Sequence, residues 1–247
     1  MHKFSSHIIL LIVCTIIAGC SKNETINSTN IYELYPLKVG KVFYYRLDST
    51  VLTNFNQNLT TKSYHAKDSV DAEFLDNEGR KTFRMYRYLR DTLNIKPWQY
   101  TTTYIVTFNV NKIEVLENNL RFVVLTNLPT ETNSWKGTQY INTIAPSPFA
   151  YFYDWNFQYQ NIAQPFFVKK GMISDTYTVF QQDETLPNLP FNSNNYQERS
   201  FSKEVYAKNI GLIYKEFLRW VYQPPTAINK YYQEGSYGIK LSLIDYQ

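Results

Sequence analysis

Apolar and polar residues alternate along most of the chain, and Asn, Asp, Gly and Pro interrupt the alternation at intervals. A period of two puts successive side chains on opposite faces of an extended backbone, so each run predicts a strand. The runs are KVFYYRLDSTVLT (41–53), SVDAEFL (69–75), RKTFRMYRYLR (80–90), WQYTTTYIVTFNV (98–110), KIEVLE (112–117) and LRFVVLTNL (120–128). They continue with FAYFYDWNFQYQNI (149–162), DTYTVFQQDE (175–184), RSFSKEVYAK (199–208), GLIYKEFLRWVYQ (211–223) and GIKLSLIDYQ (238–247). Helical spacing competes only over 112–122, through Ile113, Leu116 and Leu120. The pattern predicts a single all-β domain over 31–247. It would hold about ten mostly antiparallel strands, as a curved sheet, a sandwich or an open barrel.

Turn chemistry refines this. Asn118-Asn119 tolerates the positive φ of a type I′ turn. Asp76-Asn77-Glu78-Gly79 joins an acidic strand to a basic one. A two-residue turn at Asn77-Glu78 places Asp71 opposite Arg84, Asp68 opposite Arg87, Val70 opposite Met85 and Ala72 opposite Phe83. Gly79 favours instead a three-residue loop with a bulge, which slips the register by one. On either register Arg80, Lys81, Arg84, Arg87 and Arg90 meet Asp68, Asp71, Glu73, Asp76 and Glu78, so the hairpin neutralises itself through cross-strand pairs. The competing reading is a cationic strip for anionic headgroups or acidic polysaccharide. The loops 126–148 and 183–198 hold most of the Pro and Asn between strands and are the expected places for function.

The first residues differ from all of this. Lys3 is the only charge before Lys22, and Ile8 to Ala18 is apolar apart from Thr15. Eleven or so residues reach about half of a ~30 Å hydrocarbon core, which describes a secretory signal and not a spanning helix. Its ending, Ile17-Ala18-Gly19-Cys20, resembles the lipobox of bacterial lipoproteins. The resemblance implies cleavage before Cys20, a diacylglycerol on its thiol and acylation of its new amino group. Two or three acyl chains, at about 0.8 kcal/mol per buried CH₂, make a stable anchor. Residues 1–19 are then a signal peptide and 20–30, rich in Asn, Ser and Thr, a flexible tether.

Removing the first 19 of 247 residues leaves 228, with Cys20 the sole cysteine and His65 the sole histidine. No intramolecular disulfide is then possible, and histidine- or cysteine-based metal and triad chemistry loses its ligands. Net charge falls from +4 to about +3 as Lys3 leaves, too mild and too dispersed for a nucleic-acid binder. The 22 Tyr and 16 Phe favour strands. No glycine-rich phosphate loop is present, since the closest glycines are Gly235 and Gly238.

Four blocks carry a second resemblance: YPLKVGKVFYY (35–45), LRFVVLTNLPTETNSWKGTQY (120–140), YTVFQQDE (177–184) and YAKNIGLIYKEF (206–217). They resemble an uncharacterised lipoprotein family of Bacteroidota envelopes, and they span most of the processed chain. The likeness implies a lipid-anchored, β-rich domain of the outer membrane and brings no catalytic residue, metal or cofactor with it. Where the family tends to have Gly, this chain has Asn209, which also adopts the left-handed region. Ser21-Lys22-Asn23-Glu24 only partly resembles the acidic export signals of surface lipoproteins in that phylum, so periplasmic and surface-facing placements both stand.

Two constellations qualify as sites. Trp135, Tyr153 and Trp155, with Tyr151 and Tyr159, could stack on sugar rings beside Asn, Gln and Asp; strict alternation from Tyr151 to Tyr159 equally describes a core-facing stripe or the lining of a lipid-sized cavity. Among carboxylates, the adjacent Asp183-Glu184 point to opposite faces, and Asp154, Glu204 and Glu216 converge only if the fold brings them together. The reading is an envelope lipoprotein that binds a ligand, glycan or envelope protein, or has a structural role, without catalysis or cofactor. The alternatives are a carbohydrate-active or other hydrolase and a lipid or lipoprotein carrier with an apolar cavity.

Overall fold

The computed structural model describes residues 30–127, 129–226 and 231–247. The expected signal peptide, Cys20 and all of the expected tether but Asn30 lie outside the described residues. A four-residue helix, α1 (Ile31–Leu34), precedes twelve strands. These are β1 (Val42–Thr53), β2 (Asn58–Leu75), β3 (Lys81–Asp91), β4 (Gln99–Asn109), β5 (Lys112–Glu117) and β6 (Leu120–Thr126). Then follow β7 (Ser134–Trp135), β8 (Phe157–Val168), β9 (Gly171–Leu186), β10 (Gln197–Ala207), β11 (Gly211–Tyr222) and β12 (Tyr237–Tyr246). All pairings are antiparallel between chain neighbours, and β1 also pairs with β12. One sheet therefore winds from β6 through β1 and β12 to β7.

The sheet curls until its two edges meet, giving a nearly closed barrel. The seam is held by Val123 N–H on the Gly137 carbonyl (2.8 Å) and Trp135 Nε1–H on the Val123 carbonyl (2.7 Å). Tyr159 Oη donates to the Thr126 carbonyl (2.7 Å) and accepts from the Thr126 N–H (3.1 Å). Strand edges left open invite pairing with other chains, and these bonds cover the β6 edge and the start of the β7–β8 edge. Gly137 lies so close to Phe157 that a Cβ there would sit 2.2 Å from the ring, which makes glycine a condition of closure. No helix among the described residues is long and apolar enough to cross a membrane. The inner face carries Phe43, Tyr45, Val70, Phe83, Val179 and Leu241, all buried. The outer face of the same strands carries Arg46, Lys67, Arg84 and Glu216, the reverse of a transmembrane barrel's apolar exterior.

The β2–β3 hairpin uses both devices that its sequence offers. Asp68 opposes Arg87 and Val70 opposes Met85, but a bulge at Asp71 moves the register, so Ala72 faces Arg84 and Glu73 faces Phe83. The loop is Asn77-Glu78-Gly79, with Gly79 at φ +74° and the Asp76 carboxylate accepting from the Glu78 and Arg80 N–H groups. Asn118, Asn119 and Asn209 all take positive φ, as their positions anticipate. Residues 112–122 form β5, a two-residue turn and the start of β6, which excludes the helix.

The expected strand over 149–162 is corrected: it begins only at Phe157, after a 3-10 turn at Ala150–Phe152. Phe152 and Trp155 both enter the interior, and a spacing of three requires a turn, not an extended chain.

The ends differ. At one end α1 is a plug: Ile31 and Leu34 are fully buried, Asn30 caps the helix through the Tyr32 N–H, and Tyr35 packs on Tyr206. Asn209 N–H donates to the Glu33 carbonyl (2.7 Å) and Lys41 Nζ to the Pro36 and Ile210 carbonyls, which fasten the plug to the β10–β11 turn. The other end is formed by the β5–β6 turn, residues 148–156 and the segment leading into β12. It is open.

Candidate functional site

Inward-facing positions of five strands carry charge. β2 supplies Asp68 and β3 supplies Arg87, joined by two bonds of 2.7 and 2.6 Å; Tyr104 Oη from β4 also donates to Asp68 at 2.9 Å. Arg87 Nη1 then lies 3.6 Å from Glu117, the last residue of β5. From β11, Lys215 Nζ is 3.2 Å from Glu117 and 3.2 Å from Glu204, its cross-strand partner on β10. Tyr206 Oη donates to Glu204 at 2.7 Å. A continuous chain of alternating charge thus runs through the interior, with three carboxylates against two cations.

Burial alone would discharge such groups, and at Arg87, Lys215 and Glu117 charged neighbours oppose it. Burial is the largest single influence on Arg87 and lowers its pKa, but the charge and hydrogen bonds of Asp68, with Glu117, together raise it well above the ordinary arginine value. Burial likewise opposes the charge on Lys215, and Glu117 and Glu204 together raise its pKa above the ordinary lysine value. The Lys215 ammonium holds the Glu117 carboxyl below the ordinary glutamate range, against desolvation.

The Glu117–Lys215 pair is the floor of a cavity of about 540 Å³ at the open end. Its walls are aromatic: Phe122, Phe149, Tyr151, Phe217 and Tyr237, with Phe217 and Tyr237 stacked at 4.9 Å between ring centres. Asn118, Arg219, Gln233 and Ser236 complete the rim, and Arg219 is bonded to Glu198 at 2.6 Å and lies 5.0 Å over the Tyr151 ring. Behind the floor is a chamber of about 50 Å³ lined by Phe152, Trp155, Gln181, Ser202 and Glu204.

The aromatics singled out in the sequence do not form one platform. Trp155 is 1% exposed and packs edge-on against Phe152 (4.7 Å), its indole N–H without a hydrogen-bond partner. Trp135 belongs to the seam, its N–H spent on Val123 and its ring on Tyr159 (5.0 Å). Tyr153 is 61% exposed, beside Lys136. Phe157 and Tyr159 are fully buried, whereas Tyr151, from the same run, reaches the cavity wall. Of the carboxylates considered, Glu204 enters the charge chain. Glu216, its neighbour but one across the sheet, faces outward and accepts from Tyr214, and Asp154 is exposed. Among the described residues no cluster of His, Cys, Asp and Glu is arranged to hold a metal ion.

Sequence reading missed Glu117 and Lys215. The only signal for either was a charged residue at an inward position of a strand, and that needs the register to be known.

No protein-family model and no curated protein matches the chain. Among solved structures, the chain is similar to a candidate exported protein with a YmcC-like fold from Bacteroides fragilis NCTC 9343. Identity is 11% and the TM-score 0.38, covering 86% of this chain and 98% of that one. It is also similar to a candidate lipoprotein from Parabacteroides distasonis ATCC 8503, at 10% identity and a TM-score of 0.33, covering 87% and 98%. At these values the superpositions are loose, and no residue role passes from either structure to this chain.

Proposed function

We propose that the protein is a lipid-anchored envelope lipoprotein whose open barrel end binds a small neutral ligand with ring faces and hydroxyl or amide oxygens, such as a saccharide end group. The observation that carries this reading is the cavity of about 540 Å³ with aromatic walls over a charged floor. Aromatic faces accept the apolar side of a sugar ring, and the Glu117 and Lys215 groups offer an acceptor and a donor to its hydroxyls. Carboxylates outnumber cations along the interior chain, so an anionic ligand is disfavoured there.

The position of the tether supports the reading. Asn30, the residue that caps α1, lies at the plugged end, across the barrel from the cavity. Ten Cα–Cα steps from Cys20 to Asn30 reach at most about 35 Å. A lipid carrier is supported less well, because the chamber behind the floor holds only about 50 Å³ and is lined by Glu117, Lys215 and Glu204. Hydrolysis by a carboxylate pair calls for one carboxyl kept protonated as the acid. Here Lys215 stands between Glu117 and Glu204 and keeps Glu117 ionised.

Calorimetric titration of the full chain in detergent with neutral malto-, cello- and chito-trisaccharides tests the proposal. At least one is expected to bind, and Tyr237→Ala is expected to weaken it tenfold or more with little change in melting temperature. Binding of a fluorescent fatty acid in place of every saccharide, weakened by the same substitution, would support the carrier instead.

A further inference from the structure

The outer wall of β1 to β4 carries a second constellation, remote from the open end and unused by it. The register places Tyr44, Lys67, Tyr88 and Tyr100 side by side in one row across four strands. Three inter-strand spacings of about 4.8 Å make the row about 15 Å long. Trp98, from the segment entering β4, folds over it, 6.3 Å from Tyr44. Lys67 Nζ lies 4.5 Å over the Tyr88 ring and 5.3 Å over Trp98, and the Arg90 guanidinium lies 4.3 Å over the Trp98 ring.

The basic hairpin thus divides. Arg80 pairs with Asp76, Lys81 with Glu73, Arg84 with Asp71 and Arg87 with Asp68. Lys67 and Arg90 are left: among the described residues neither has a carboxylate within ion-pair distance. Arg90 Nε is, in addition, buried without any hydrogen-bond partner. Between Tyr44, His65, Arg90, Trp98 and Asp245 there is a cleft of about 200 Å³, with Asp245 itself engaged by Lys170 at 2.5 Å.

We infer that this wall is a binding site for an acidic saccharide, its carboxylate held between Arg90 and Lys67 and its rings laid along the aromatic row. Arginine and lysine without local counter-ions recognise a carboxylate, the planar fork of Arg90 giving direction and Lys67 a point charge. Exposed Tyr100 and half-buried Tyr88 and Tyr86, in mutual edge contact at 5.9 to 6.5 Å, provide ring faces. Exposed Leu93 and Ile95 lie in the adjoining β3–β4 loop, so a vesicle arm belongs in the test. The row runs along the barrel flank.

The test is titration of the full chain in detergent with trigalacturonate, read by calorimetry and by tryptophan fluorescence. Wild-type protein is expected to bind, and the methyl-esterified trimer, which lacks the charge, to bind at least tenfold more weakly. Lys67→Gln and Arg90→Gln each weaken binding five- to tenfold, Lys67→Arg keeps it, and Tyr100→Ala weakens it without changing the salt dependence. Equal affinity for the esterified trimer, or unchanged affinity in the Lys67→Gln/Arg90→Gln double variant, would overturn the inference. So would capture of phosphatidylglycerol vesicles through Lys67 and Arg90 with no binding of the trimer.

Discussion

The plugged and open ends of the barrel close the same sheet with opposite chemistry. At the plugged end Ile31 and Leu34 are fully buried, and Lys41 Nζ, Tyr32 Oη and the Asn209 N–H tie α1 to its surroundings through backbone carbonyls. A cavity of about 530 Å³ beside α1 is lined mainly by Tyr32, Tyr35, Leu37, Phe83 and Phe108. At the open end the cavity is lined by six aromatic rings, two glutamates, Lys215 and Arg219, with the Glu117–Lys215 ion pair at its floor. Burying charge is costly unless it is paired, so an ion pair at the base of a cavity is a feature that stability alone does not require. The proposed ligand site rests on this difference, and the comparison can be broken from either side.

The largest effect is expected in the charge chain. Arg87→Met removes the partner of Asp68, which is 1% exposed, and should cost about 3–5 kcal/mol in denaturant unfolding. On the same strand Arg84→Met removes the exposed partner of Asp71 and should cost about 0.2–1 kcal/mol. Equal costs for the two would mean that the interior pairs are solvated and the chain is not a closed network.

The plug comes next. Leu34→Ala should cost about 2–5 kcal/mol while leaving trisaccharide affinity within about twofold, because the lost methyl groups lie at the far end of the barrel. Loss of binding in step with stability would show the ends to be coupled.

A smaller effect follows from titration. The Glu117 carboxyl titrates below its ordinary value when folded, so its pairing with Lys215 stabilises the protein above that value and fades as pH falls through the folded one. The gap in unfolding free energy between wild type and Glu117→Gln should be constant from about pH 6 to 8 and close between about pH 5 and 3. A gap that widened in acid would contradict the ion pair.

Much of the sheet was legible in the sequence because alternation and turn residues are local signals. Asn118-Asn119 marked its hairpin, and Asp68 and Arg87 marked their own register, although nothing local said that this pair points inward. The run FAYFYDWNF hid its turn because nearly every position is aromatic, so a period of two fits it as well as the spacing of three between Phe152 and Trp155. Strand β2 was read only over 69–75, since its first half, NLTTKSYHAKD, puts polar residues at most positions of both faces.

The sites were less legible than the strands. Glu117, Glu204 and Lys215 meet from three strands, and the outer row joins Tyr44 to Tyr100. Both depend on the order of strands around the barrel, which no local pattern encodes.

The most direct test of the central claim is to map ligand contact on the backbone by NMR, using the neutral trisaccharide that binds best by calorimetry. The account predicts shifted amides at residues 117–122, 148–152, 215–221 and 233–239, with α1 unchanged. Shifts concentrated at residues 31–41 and 206–211, with the open end silent, would contradict it.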